Sequence, residues 1–171
     1  MKNNKAFTLI EIMISIAIIS ILSGLLLSVI NIKGIKAKTR DSQRISDLEK
    51  VRTALELYFT DYRAYPVGSG SGWYGVSSLN SALVNGGYIN GLPSDPVNST
   101  LGAPCDASDT AYGYLYKSDA TGTKYVLTSR METMASADDS LCPNINNCKG
   151  GAISGCNCSL QTKCYGVENP F

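Results

Sequence analysis

Two kinds of residue in this 171-residue chain could do chemistry: one acid inside an apolar stretch, and a group of cysteines. Glu11 is the only charged residue between positions 6 and 32. The cysteines all lie in the C-terminal part of the chain, at Cys105, Cys142, Cys148, Cys156, Cys158 and Cys164. The sequence contains no histidine, which removes the usual general base near neutral pH and every Ser-His or Cys-His catalytic pair. We therefore predict that the chain is not an enzyme and has no catalytic residues.

The cysteines are even in number and cluster among glycine and asparagine, a pattern typical of a disulfide framework made in an oxidising compartment. We predict three disulfides, although six cysteines allow fifteen pairings and the sequence does not choose among them. A reduced zinc site is the alternative, disfavoured because the sequence has neither histidine nor a C-x-x-C pair. We predict no metal or cofactor. Calcium at Asp138-Asp139 is left open, although few oxygen ligands stand near these residues.

The element that must position Glu11 is a long apolar helix. From Ala6 to Ile32 the chain would extend about 40 Å at ~1.5 Å per residue, more than the ~30 Å of a membrane hydrocarbon core. The stretch is also longer than the apolar region of a cleaved secretory signal, which has roughly 7–15 residues. We predict that residues 7–32 span a membrane or pack against an equally apolar surface.

The helix is predicted to continue beyond Lys33 without a break, as one rod whose amphipathic half covers residues 33–62. Its apolar stripe consists of Ile45, Leu48, Val51, Leu55, Tyr58 and Tyr62. Pro66 disfavours helical backbone in Tyr65, so the helix must end by that residue. A basic collar with mainly solvated side chains is expected just past the apolar segment, formed by Lys33, Lys36, Lys38, Arg40 and Arg44.

Residues 63–171 are predicted to form a globular head with a cysteine-rich tail. We expect a short helix that is capped by Ser77 or Ser78 and stopped at Gly86-Gly87, and then an ordered loop. The segments "YGYLYK" and "KYVLTSRME" around "SDATGT" predict a hairpin. The predicted fold class is α+β: a long N-terminal helix packed on a small antiparallel sheet, with a disulfide-stapled C-terminal loop region.

Tyrosines are frequent in the head, and three of them alternate along the first strand of the predicted hairpin. Tyr112, Tyr114 and Tyr116 would therefore share one face of that strand. Aromatic side chains on a strand face favour packing over a platform that binds sugar or nucleic acid.

The residues "KAFTLIEIMISIAI" resemble the N-terminal signature of type IV prepilins and type II secretion pseudopilins. The resemblance implies a leader peptide, residues 1–6, which prepilin peptidase cuts between Ala6 and Phe7, followed by N-methylation of Phe7. Glu11 matches the glutamate that stands fifth from the cut in this family. Ala6 departs from the usual glycine. The segments "RDSQRISDLEKVRTALELYFTDYRAYP" and "GGYINGLPSDPVN" resemble the pseudopilin G-like subgroup.

A carboxylate in hydrocarbon costs about 2.5–3.5 kcal/mol on insertion scales, so Glu11 should have a partner. Cleavage would create an ammonium group at Phe7, and in a filament of stacked helices that amine could reach Glu11 of a neighbouring copy. We predict that Glu11 is an assembly residue. Ser20, Gly24 and Ser28 form a stripe of small residues that would let helix backbones approach closely.

The leading hypothesis is a pilin: a structural subunit held as a single-pass protein in the inner membrane, which then polymerises into a type IV pilus on the cell surface. The implied partners are copies of itself, prepilin peptidase, an assembly ATPase and inner-membrane platform proteins. The alternative is a major pseudopilin of a type II secretion system. Weaker alternatives are a minor pilin with an adhesive or DNA-binding head, and a membrane-anchored enzyme. Nucleic acid is disfavoured as a partner because the head is mildly acidic.

Overall fold

The computed structural model of the chain describes residues 7–29, 32–68, 72–97, 112–133, 144–149, 153 and 163–170. Its long helices are α1, Leu9–Val29, and α2, Ile32–Tyr62. One antiparallel sheet has the strand order β1-β2-β3-β4, with β1 at Tyr74–Gly75, β2 at Tyr114–Ser118, β3 at Tyr125–Arg130 and β4 at Cys164–Glu168. A short helix α3 covers Asn146–Lys149. The prediction of an α+β protein with an N-terminal helix and a small antiparallel sheet is confirmed.

The chain divides into two compact units, Met1–Ile35 and Lys36–Phe171. Residues 30 and 31 lie outside the described residues, so the predicted continuity of one rod through them stays a prediction. Within the part of the chain that the structure describes, none of the helices has both the length and the apolar character that crossing a membrane requires.

The core of the second unit lies between α2 and one face of the sheet. Leu48, Val51 and Leu55 are fully buried there, as the helical stripe predicted. The stripe is wrong at both ends, because Ile45 is 38% exposed and Tyr62 is 60% exposed. In the first half of α2, polar side chains occupy the packing face, where the stripe had placed Ile45.

The end of α2 agrees with the prediction made from Pro66. The helix stops at Tyr62, and Arg63 takes a left-handed conformation with φ of 55°. The backbone N–H of Tyr65 then donates to the carbonyl of Gly122 at 2.7 Å, which ties the helix end to the tip of the hairpin.

The predicted hairpin is confirmed as β2 and β3, which pair antiparallel from Tyr114 opposite Ser129 to Ser118 opposite Tyr125. Asp119 organises its turn: one carboxylate oxygen accepts from the backbone N–H groups of Thr123 and Lys124, at 2.7 and 3.0 Å. Burial works against ionisation, but these bonds and those from the Thr121 and Thr123 hydroxyls outweigh it and lower the pKa of Asp119.

A short helix precedes the loop, but its predicted cap is wrong. It begins as a 3-10 turn at Val76–Leu79 and widens into a π turn at Asn80–Val84. Gly75 stands at the N-cap without a side-chain hydrogen bond, because the helix starts directly after β1 and Ser77 already lies in its first turn. The stop is confirmed, since Gly87 has a φ of 79°. The described loop residues 88–97 contain no strand, as predicted.

A smaller cluster lies under the C-terminal region, where Val126, Ile145, Ile153 and Cys164 are buried together. Cys148 packs against this cluster. The other four cysteines, and Asp138 and Asp139, lie outside the described residues. The predicted staple of three disulfides therefore stays a prediction.

Candidate functional site

Helix α1 is apolar on every side and yet exposed. Every described side chain from Phe7 to Leu25 is exposed, including Phe7 at 77% and Leu22 at 55%. Apolar surface of this extent far exceeds the few hundred Å² that a soluble monomer normally presents in one patch. The helix therefore requires an apolar environment, which lipid or other apolar helices can supply.

Glu11 has a partner within its own helix turn. The hydroxyl of Thr8 accepts from the backbone N–H of Glu11 at 3.3 Å, and Glu11 Oε2 accepts from the Thr8 backbone N–H at 3.4 Å. This reciprocal pair is a capping box, which satisfies two of the backbone donors that a helix start leaves open. The carboxylate also lies where the helix dipole favours negative charge. The pattern T-x-x-E at Thr8 is a sequence signal for this contact, and our sequence analysis missed it.

Glu11 remains exposed, so a second partner could reach it. Phe7 is the first described residue and directly precedes Thr8, which places an amine created at Phe7 next to the capping box. Ala6 and the rest of the leader lie outside the described residues. The cut after Ala6, the methylation of Phe7 and the assembly role of Glu11 all stay predictions.

Two serines of α1 donate their hydroxyls to backbone carbonyls of the same helix. Ser15 Oγ donates to the carbonyl of Glu11 and Ser20 Oγ to that of Ile16, both at 2.7 Å. A Cβ built at Gly24 would meet no atom within 4 Å. The side of the helix that carries Ser20 and Gly24 therefore offers a low, largely apolar surface to whatever covers it. The side chain of Ser28, the third member of the predicted stripe, lies outside the described residues.

The described part of the second unit contains a buried ion cluster in the first half of α2, which the sequence analysis did not predict. Arg44 has no exposed surface. Its Nε and Nη2 donate to the two oxygens of Asp95 at 2.6 and 3.0 Å. Its Nη1 donates to Asp41 at 2.8 Å and to Glu132 at 2.9 Å. One guanidinium thus joins α2 to the loop before residue 97 and to the residues that follow β3.

Within the cluster, the contacts favour the charged forms of Arg40, Arg44 and Glu132. Burial alone would lower the pKa of Arg44, but hydrogen bonds to Asp95 and Glu132 outweigh it and raise that pKa. Arg40 donates to both oxygens of Glu132, at 2.6 and 2.5 Å. The bond from Arg40, together with Arg44, lowers the pKa of Glu132 to about 2.

Arg40 and Arg44 are therefore not part of a solvated collar, and that expectation is corrected. Lys33, Lys36 and Lys38 are exposed, as expected. The i,i+3 spacing of Asp41 and Arg44 was a signal for one of the ion pairs. Asp95 and Glu132 lie 51 and 88 residues from Arg44, so no local pattern could have found them.

The tyrosines of β2 pack within the head, which confirms the packing interpretation. Tyr114 Oη donates to Asp47 at 3.0 Å, and Tyr116 Oη donates to the carbonyl of Pro66 at 2.7 Å. The ring of Tyr112, just before β2, lies against the guanidinium of Arg44 at 4.8 Å.

A half-buried contact lies near the end of α2, where Glu56 accepts hydrogen bonds from two tyrosines. Tyr65 Oη and Tyr125 Oη donate to its two oxygens at 2.9 and 2.8 Å. Burial and its own hydrogen bond to Glu56 raise the pKa of Tyr125. Among the described residues, no group of three or more Cys, Asp or Glu side chains is placed to hold a metal ion.

Comparison with known proteins gives matches in sequence. Residues 1–27 match the family described as the prokaryotic N-terminal methylation motif. The chain is 36% identical over 105 residues to type II secretion system core protein G of Klebsiella pneumoniae, covering 58% of this chain and 73% of that protein. The protein of the same name from Aeromonas hydrophila is 33% identical over 108 residues, covering 56% and 68%. That from Escherichia coli K12 is 35% identical over 101 residues, covering 54% and 66%.

No solved structure matches the chain. The match over residues 1–27 agrees with the resemblance of the leader block. The chain belongs to the family of type II secretion system core protein G, the pseudopilins.

Proposed function

We propose that this chain is a structural subunit of a type II secretion pseudopilus, not a subunit of a type IV pilus and not an enzyme. The relatives named above support the pseudopilus, which the sequence analysis held as the alternative. The preference for a pilus rested on the elaborated tail, of which few residues are described. The observation that carries a filament role is α1, whose described side chains are mainly apolar and are exposed on every side.

Two apolar environments serve α1 in turn. Before assembly, the helix anchors the subunit in the inner membrane as a single pass. After assembly, it packs against the α1 helices of other copies in a filament outside the cytoplasm. Since lipid tails are as apolar as leucine, the transfer from lipid to filament gains little from the hydrophobic effect. Polar contacts must therefore favour the filament.

Among the described side chains of α1, Glu11 is the one that carries a charge, and it can make such a contact. Prepilin peptidase removes residues 1–6, and Phe7 becomes the methylated N-terminus. Its ammonium group then pairs with Glu11 of a neighbouring copy, in place of the long bonds of the capping box. An ion pair in this apolar setting is weakly screened, so it also fixes the axial register of the subunits. An assembly ATPase and inner-membrane platform proteins are the further partners.

Disulfides between the six cysteines staple the C-terminal region. Support comes from Cys148 and Cys164, neither of which is a free thiol. Closing a loop in this way stabilises a small domain by about 2–4 kcal/mol, which suits a head exposed outside the cytoplasm.

Deleting this chain in its own bacterium separates the two filament types. We expect the deletion to remove secreted enzymes from the culture medium and to leave surface pili, counted by electron microscopy, unchanged. Expression of the wild-type chain from a plasmid should restore secretion. Loss of pili with normal secretion would show instead that the chain is a type IV pilus subunit.

A further inference from the structure

An open pocket in the second unit, apart from the ion cluster, has a volume of about 400 Å³. It lies between α2, residues 66–68, β1, the short helix at residues 76–84, and β2. This volume is within the range of pockets that hold small molecules. The buried ring of Tyr116 forms its floor, and the hydroxyl of that ring is already engaged by the carbonyl of Pro66.

Two aromatic rings that line the pocket are held in place by their surroundings. Tyr58 stacks on Tyr62 with ring centroids 4.3 Å apart and meets the edge of Tyr88 at 5.5 Å. The ring of Tyr74 packs directly on Gly68, where an added Cβ would lie 2.1 Å from Tyr74 Cε2. Gly68 therefore leaves the space that Tyr74 occupies. Both rings are half-buried, so each keeps part of its surface open.

The polar groups of the pocket are neutral hydroxyls. Ser78 and Ser81 line it, and both residues are exposed. Their spacing of three places both on one side of the short helix. Among the described residues that line this pocket, none carries a charge. A second cavity of about 460 Å³ differs in this respect, because Glu49, Arg52, Lys124 and Glu168 line it.

We propose that the pocket at Tyr58, Tyr74, Ser78 and Ser81 binds a neutral saccharide. A sugar ring presents C–H groups on its faces, which pack on aromatic rings, and hydroxyls around its edge, which donate and accept as serine hydroxyls do. A phosphate, a nucleotide or a metal ion would find no charge here to offset its desolvation. This ligand class goes beyond the proposed filament role and does not depend on it.

Saturation-transfer NMR on the full chain in dodecylphosphocholine micelles, a detergent without a sugar headgroup, tests the proposal. The probes are the neutral disaccharides cellobiose, maltose and N,N′-diacetylchitobiose, each at about 10 mM so that binding in the millimolar range is detected. We expect saturation to reach at least one of them. No transfer to any of the three would overturn the proposal.

Variants locate the binding. The double variant Ser78→Ala, Ser81→Ala removes both hydroxyls. It should raise the Kd about fivefold or more, since each lost hydrogen bond makes a modest but measurable contribution to binding. Gly68→Ala should weaken binding as well, because it displaces the Tyr74 ring. Ser77→Ala is the matched control: Ser77 is exposed on the same short helix but does not line the pocket. An unchanged Kd in the double serine variant would overturn the proposed site, with far-UV circular dichroism verifying that each variant folds.

Discussion

Helices α1 and α2 invert the usual relation between polarity and burial. In α1, the described apolar side chains are exposed; on the packing face of α2, Arg44, Asp41 and Asp47 are 0%, 7% and 4% exposed. The difference lies in where the partners are. The charges of α2 find their partners within the same unit, whereas α1 depends on surfaces that lie outside its own helix. Whether a side chain of these two helices is buried therefore depends more on where its partner lies than on whether the side chain is polar.

This comparison separates two kinds of mutational effect. Substitutions on the packing face of α2 should change the free energy of unfolding of the head. Substitutions on α1 should change filament assembly and leave that free energy alone.

The largest expected effect is on assembly, in Glu11→Ala. We expect membrane insertion to persist and sheared filaments to fall at least about tenfold, since a lost ion pair of ~1.4 kcal/mol per contact already gives that factor. Immunoblots of the membrane and sheared fractions measure both.

Glu11→Gln separates charge from capping, because it keeps the hydrogen-bonding capacity of the capping box and loses the charge. We expect Glu11→Gln to fail in assembly as Glu11→Ala does. Normal filaments from Glu11→Gln would limit the role of Glu11 to starting α1.

Arg44→Met should be the most damaging change in the head. It leaves Asp95, Asp41 and Glu132 without the guanidinium that they share, and breaking a buried ion pair in this way costs about 3–5 kcal/mol. Chemical denaturation of the full chain measures the free energy of unfolding. Lys38→Met, at an exposed cation of the same helix, is the control and should change it by less than about 0.5 kcal/mol. Equal values for the two variants would contradict the importance of the cluster.

A leucine truncated in each helix provides a direct comparison. Leu55→Ala removes a fully buried side chain and should lower the free energy of unfolding of the head by about 2–5 kcal/mol. Leu22→Ala removes a side chain that is 55% exposed, so it should leave that value unchanged. A similar loss in both variants would mean that α1 is part of the head's folding unit.

Acid should weaken the ion cluster through Glu132. Its pKa is depressed in the folded protein, so its contribution is present at neutral pH and is lost as pH falls from about 4.5 through about 2. We expect a loss of about 1–2 kcal/mol in this window, with water screening part of the interaction. Glu132→Gln should be less stable than the wild type at pH 7, and the gap should narrow towards pH 2. A constant gap from pH 7 to pH 2 would contradict the shift.

Sequence patterns predicted those features that depend on neighbours along the chain. The burial of Leu48, Val51 and Leu55, the end of α2 before Pro66 and the hairpin around Asp119 all follow from local spacing. The capping box of Thr8 and Glu11 is equally local and was available in the sequence.

The ion cluster was not predictable, because its members become neighbours only after the chain folds. Asp95 and Glu132 are far from Arg44 in sequence, and only the pair of Arg44 with Asp41 has a local spacing that could have predicted it. The pocket beside Tyr74 has the same origin, since it collects residues from α2, a loop, β1, the short helix and β2.

The measurement that tests the central claim most directly is the intact mass of subunits sheared from assembled filaments. The account predicts a chain that begins at Phe7, carries one methyl group on its N-terminus, and is six hydrogens lighter than its fully reduced form because its six cysteines are paired. Assembled subunits that still begin at Met1 would contradict it, because the ammonium group that is to pair with Glu11 would then not exist at Phe7.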